Sequence, residues 1–170
     1  VCERTDVELA GRGAGIVTHD ALIAALKSVG ADMSDLGVQV DSRVAFDKSG
    51  QRVKVMPYPQ VVTSWDRIHQ ILRQLIPDSQ YHLGRHITGY RQDATSATAL
   101  FADGRSETAD LLVGCDGFRS AIRAQMLPDI KPTYAGYVVW RAVAHEADLA
   151  AALQADIFPT FAFYAPSGTQ

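Results

Sequence analysis

Apolar positions along the chain fall into short periodic runs separated by clear stops. After Thr18, which can serve as a helix cap, Leu22, Ala25, Leu26 and Val29 recur at helical spacing and Gly30 follows as a stop, so a core-facing helix is expected there. Val44–Phe46 and Val53–Val55 flank Asp47-Lys48-Ser49-Gly50, the pattern of a hairpin. Trp65 opens a second helical stripe of Ile68, Ile71, Leu72 and Leu75, closed by Pro77. Beyond it, Tyr81 to Ile87, the stretch through Tyr90, and Thr98 to Phe101 with a tight turn at Asp103-Gly104 read as a meander of strands.

The pattern then changes character. Leu111-Leu112-Val113-Gly114 is a continuous apolar run, which suits a strand covered on both faces. It stops at Gly114-Cys115-Asp116-Gly117 and restarts as a polar, helix-like segment through Ser120 and Arg123. In open α/β sheets, ligands bind where such strands end. Asp116 is therefore expected at the crevice, with Gly117 admitting a close backbone approach. On these residues alone an ordinary helix cap and turn explain Asp116 and Gly117 at least as well.

Composition places the chain among globular enzyme domains without naming one. Its 170 residues are 47% hydrophobic and 21% charged, with a net charge of -3 and acidic and basic residues interspersed. No basic stripe invites a polyanion, so no nucleic-acid partner is expected. No run approaches the roughly 20 apolar residues of a membrane span, and no signal segment opens the chain, so the expectation is no membrane partner and a cytoplasmic location. Cys2 and Cys115 lack metal-ligand spacing, and Cys115 is expected as a small buried residue beside Asp116. None of the five histidines forms a metal-binding pair; each is expected at the surface or satisfied by hydrogen bonds, with an approach of His19 to a substrate left open. No nucleophile elbow and no acid–base carboxylate pair stands out, so no catalytic side chain is assigned, an absence that fits a cofactor-driven enzyme.

From the apolar run through Asp116, Gly117, Ser120 and Arg123, the sequence resembles the second fingerprint of the class A FAD-dependent aromatic monooxygenases, and is most similar to their 2,6-dihydroxypyridine 3-hydroxylase branch. The likeness is strongest from Val61 to Val143. It implies an α/β chain: part of an FAD-binding, Rossmann-like fold of the para-hydroxybenzoate hydroxylase type, with a mixed-sheet substrate domain. Residues 1–37 and 80–131 would belong to the FAD-binding part, and 38–79 and 132–170 to the substrate domain and its connections. The first strand and glycine-rich pyrophosphate turn would precede Val1, and a Gly-Asp segment would follow Gln170. By this resemblance the chain is a middle fragment, expected to be inactive alone.

The same resemblance assigns roles. Glu3 would hydrogen-bond the adenosine ribose, Ile87 would offer backbone groups to the adenine, and Asp116 with Gly117 would meet the ribityl and pyrophosphate. The segment Gly11-Arg12-Gly13-Ala14-Gly15 is not a phosphate loop, because the polar Glu3 to Glu8 stretch before it is no buried strand. By resemblance it lies against the flavin, which makes Arg12 and Gly15 cofactor candidates. Many relatives carry an FAD-adjacent arginine where this chain has Ser64 or Trp65; Arg67 is the nearby substitute, or an exposed helix arginine. Tyr137, Trp140 and Arg141, in what resembles the entry to the substrate-domain sheet, are the substrate-side candidates.

The implied activity is ring hydroxylation with NAD(P)H and O2 through a flavin C4a-hydroperoxide, on a small aromatic or N-heteroaromatic substrate. A homodimer is compatible with it. Two other readings stay open: a flavin-dependent reductase or dehydrogenase of the same fold, and a noncatalytic binding remnant.

Overall fold

The computed structural model describes residues 1–9, 15–138 and 143–164. In chain order the elements are β1 (Gly15–Val17), α1 (Asp20–Ser28), β2 (Val38–Phe46), β3 (Arg52–Ser64), α2 (Trp65–Arg73), β4 (Ile87–Gln92), β5 (Ala97–Phe101), β6 (Ser106–Ala109), α3 (Ala121–Met126), α4 (Ala151–Ile157) and β7 (Thr160–Tyr164). They form two compact units. One comprises Val1–Leu9 and Ile76–Val139, the other Ala10–Leu75 and Trp140–Gln170.

The second of these units is built on a mixed four-stranded sheet of order β1-β3-β2-β7. The expected hairpin is present and longer than the apolar triplets suggest: β2 pairs antiparallel with β3 from Val38↔Val62 to Phe46↔Arg52, and β7 joins β2 in parallel. Its turn closes because the Asp47 carboxylate accepts from the main-chain N–H of Ser49 and Gln51, while Gly50 takes a φ of 81°. Both expected helices form. His19, however, caps α1 in place of Thr18, its Nδ1 accepting from Leu22 N–H, because the Thr18 hydroxyl is taken by Val61 C=O on β3. Gly30 stops the helix at a φ of 72°, as expected.

The two helices share a small core in which Leu26, Leu36 and Ile71 are almost fully buried. Only part of the α2 stripe contributes, since Leu72 and Leu75 remain exposed. Segment 15–37 thus packs with the β2–β3 hairpin.

In the other unit, residues 1–3 run parallel beside residues 80–85. His82 N–H donates to Val1 C=O, Glu3 N–H to His82 C=O and Arg85 N–H to Glu3 C=O, each at 2.8–2.9 Å. The expected meander follows as the antiparallel sheet β4-β5-β6, with its turn at Gly104 (φ 82°), and α3 packs against β4. The expected buried strand at Leu111–Gly114 is not seen. These residues belong to no strand and pair with none, Leu111 is 75% and Val113 67% exposed, and Cys115 is exposed as well. A parallel strand draws its burial from strands on either side and helices on both faces. Among the described residues α3 approaches the run, through Ile122 beside Gly114, and no strand pairs with it.

Gly37 generates a prediction. A Cβ there would lie 2.2 Å from the Val62 main-chain oxygen, which no rotamer change relieves. Gly37→Ala is expected to destabilise its unit by about 3 kcal/mol, whereas Gly30→Ala, with open space around it, should lose about 1 kcal/mol to its left-handed φ. Urea unfolding of both variants checks the order.

Candidate cofactor site

The Gly-x-Asp-Gly corner is a hydrogen-bonded device in which each residue type has a stated task. Asp116 Oδ2 accepts from the main-chain N–H of Ala121 (2.7 Å) and Ile122 (3.3 Å), and Oδ1 accepts from the Ser120 hydroxyl (2.5 Å). Ser120, buried at the start of α3, accepts in turn from Arg123 N–H at 2.9 Å. Together these satisfy donors that a helix start leaves without intrahelical partners. Gly117 turns the chain with a φ of 79°, and nothing lies within 4 Å of where its Cβ would stand. Arg123 donates to the Gly117 and Phe118 carbonyls, tying the turn to the helix. At Gly114 a Cβ would come within 2.9 Å of Ile122, so α3 can close onto the corner only over glycine.

Asp116 therefore acts as a helix cap, the role its local sequence suggests. That role leaves chemistry to spare. An ionised carboxylate offers about four acceptor sites, and among the described residues three hydrogen bonds to it are made. Partial burial pushes this carboxyl up, but the Ser120 hydroxyl and the N–H groups of Ile122, Asp116 itself and Ala121 outweigh it and hold its pKa below the ordinary 3.8. The group is an anion fixed by the start of α3, beside an uncrowded glycine.

Glu3 and Ile87 lie in the same unit as Asp116 and Gly117. Glu3 Oε1 accepts from Thr5 N–H and the Thr5 hydroxyl, which orients the carboxylate at the end of the residue 1–3 segment. Ile87 opens β4 opposite Phe101. Gly15 belongs to the other unit, where it pairs with Ser64 in an uncrowded position; Arg12 lies outside the described residues. Trp140 and Arg141 also fall outside them, and Tyr137 is an exposed residue that belongs to no strand.

Around α2, Ser64 caps the helix and Trp65 stacks on His69. Arg67 is neither free nor fully exposed: Nε donates to Asp35 C=O at 2.6 Å and Nη2 pairs with the Asp35 carboxylate at 2.8 Å. It is a structural tie. Among the described residues no group of His, Cys, Asp or Glu is arranged to hold a metal, and no helix is long and apolar enough to cross a membrane. The sequence reading missed Gln125, which reaches back from α3 to β4; a lone polar residue on a short helix carries no spacing signal.

Fold and corner together define a class. The architecture is that of the FAD-binding monooxygenases of the para-hydroxybenzoate hydroxylase type, a mixed α/β fold with a mixed sheet. The particular relatives are more telling. The chain is 34% identical to the 2,6-dihydroxypyridine 3-monooxygenase of Paenarthrobacter nicotinovorans over 151 residues, 88% of this chain and 38% of that protein. It matches the solved structure of 2,6-dihydroxypyridine-3-hydroxylase from Arthrobacter nicotinovorans with a TM-score of 0.85 at 30% identity, covering 99% of this chain and 46% of that one. HpxO of Klebsiella pneumoniae, solved with FAD and uric acid, shares the fold at a TM-score of 0.63 and 20% identity, over 73% of this chain and 34% of its own. No family model matches. Relatives and structural neighbours alike are FAD-dependent monooxygenases, and the chain spans less than half the length of these three.

The cap has a pH signature. Because the folded pKa of Asp116 lies below its ordinary value, its contribution to stability is complete above pH 3.8 and is lost as pH falls through the folded pKa. Asp116→Asn, which turns one of the two accepting oxygens into a donor, should lower stability by about 1 kcal/mol at pH 7. The difference from wild type should close below pH 3.8 in denaturant titrations run across that range.

Proposed function

We propose that the full-length protein is an FAD-dependent monooxygenase that hydroxylates a small aromatic or N-heteroaromatic ring with NAD(P)H and O2. The observation that carries this reading is the likeness, in sequence and fold, to the dihydroxypyridine hydroxylases across nearly the whole of this chain.

The residues present fit the cofactor. Asp116 keeps an acceptor site for a ribityl hydroxyl, and Gly117 leaves open space for backbone approach. Glu3, whose Oε1 is held by Thr5, would meet a ribose hydroxyl through its carboxylate, and the main chain at Ile87 would serve the adenine. Gly15 and Arg12 are assigned to the flavin side, and Tyr137, Trp140 and Arg141 to the substrate side. Bound FAD would supply the electron transfer and oxygen activation that no side chain here provides.

What these residues do is bind and orient. A carboxylate already fixed by three donors loses little freedom when a ligand hydroxyl joins them, so its remaining acceptor site is preorganised. In functional terms, residues 1–37 and 80–131 are read as serving the cofactor and 38–79 and 132–170 the substrate. This partition cuts through a packing unit, since residues 15–37 pack with the hairpin. A cytoplasmic setting is consistent with the proposal.

Flavin titrations of the full-length protein test it. A hydrogen bond to a charged group contributes roughly 1.5–3 kcal/mol, so Asp116→Ala should weaken FAD binding about tenfold or more, with loss of NAD(P)H-dependent oxygen uptake on hydroxypyridines and phenols following from it. Ser120→Ala disturbs the cap but keeps the carboxylate and should weaken binding less, while Glu107→Gln on exposed β6 should have no effect. Equal losses for Asp116→Ala and Ser120→Ala would reduce Asp116 to a cap. Unchanged FAD affinity in Asp116→Ala would contradict the assignment.

A further inference from the structure

β4 is an edge of its three-stranded sheet, and the main chain of Tyr90 in this strand is held by a side chain. Gln125 Oε1 accepts from Tyr90 N–H at 2.9 Å, and Gln125 Nε2 donates to Tyr90 C=O at 2.7 Å. A primary amide carries one acceptor and one donor side by side, so it reproduces a rung of an antiparallel ladder. The neighbouring residue makes room for it: a Cβ on Gly89 would lie 2.8 Å from Gln125 Oε1.

The clasp joins the two arms of the cofactor site. Gln125 lies on α3, whose first turn is set by Asp116 and Ser120; Tyr90 lies on β4, which Ile87 opens. A helix of six residues has little stability of its own and takes its position from what anchors it. At its start the anchors are the Asp116 cap and the Ile122 contact with Gly114. Near its end the anchor is Gln125. The Gln125 side chain is otherwise exposed, so its retention in the apolar core does not explain the contact.

We propose that Gln125 is a positioning residue, which grips the Tyr90 backbone and thereby fixes the Asp116 corner relative to the strand carrying Ile87, so that one FAD reaches both. This rests on the cofactor reading above. Glutamate would not substitute at neutral pH, because a carboxylate has no donor for the Tyr90 carbonyl. Methionine fills a similar volume and makes neither bond.

The test uses the full-length protein, with FAD affinity read by flavin fluorescence and Tyr90 amide exchange read alongside. Gln125→Met should weaken FAD binding roughly tenfold, the change expected if opening the clasp leaves the corner in its binding geometry about a tenth of the time. Gly89→Ala displaces the end of a flexible side chain, so the fold should persist while the clasp opens, with a comparable loss. In the double variant the losses should not add, because both changes break one contact. Tyr90 N–H should exchange faster in all three.

Wild-type affinity in Gln125→Met and Gly89→Ala, with FAD lost in Asp116→Ala, would overturn the clasp and leave the cofactor reading standing. Additive losses in the double variant would overturn it too. Retained affinity in Asp116→Ala would overturn both. Should Gln125→Met fail to fold, Gly89→Ala alone decides, through its FAD affinity and Tyr90 exchange.

Discussion

The carboxylate of Asp116 is the point on which the candidate site depends. It gathers the Ser120 hydroxyl and two helix-start N–H groups onto one side chain, and so fixes where α3 begins. The neighbouring residues follow from that constraint. Gly117 supplies the left-handed turn that brings the chain back, Gly114 lets Ile122 close against it, and Arg123 returns to the turn's carbonyls. A short fingerprint of alternating roles results, in which each side chain is needed to hold another. The anion is thereby fixed in place before any ligand arrives, which is what a recognition group requires.

The unit containing the hairpin is held by different means. Its helices enclose a small core around Leu26, Leu36 and Ile71, and a sheet register pressed tightly at Gly37 against Val62 joins them. The buried Thr63 hydroxyl donates to Leu36 C=O at 2.5 Å, binding the loop after α1 to β3. Arg67 secures the same loop from α2 through Asp35. These are scaffold interactions, and they give a structural role to Arg67, the nearby substitute that the resemblance offered for the family's FAD-adjacent arginine.

What was legible in the sequence follows the range of the interactions involved. The two helices, the hairpin turn at Asp47 to Gly50 and the meander turn at Asp103-Gly104 are set by local periodicity and local side-chain bonds, and each appears where expected. The helix start at His19 shifted by one residue because Thr18 found a partner 43 positions away. The run Leu111–Gly114 reads as a buried strand by composition, yet strand pairing and burial come from neighbours, and among the described residues no strand pairs with it. Cys115 is exposed with it. Of the site, Asp116 and Gly117 were visible as a motif because their spacing encodes a turn and a cap. Gln125 was not, since its partner is the backbone of Tyr90, 35 positions away.

A crystal structure of the full-length protein with FAD bound would test the central claim most directly. The account requires an Asp116 oxygen within hydrogen-bond distance of the ribityl–pyrophosphate region, with the bonds to Ser120 and Ala121 retained, and Glu3 on the adenosine ribose. A flavin bound elsewhere, with Asp116 engaged only by α3, would contradict it and leave the corner a helix cap and nothing more.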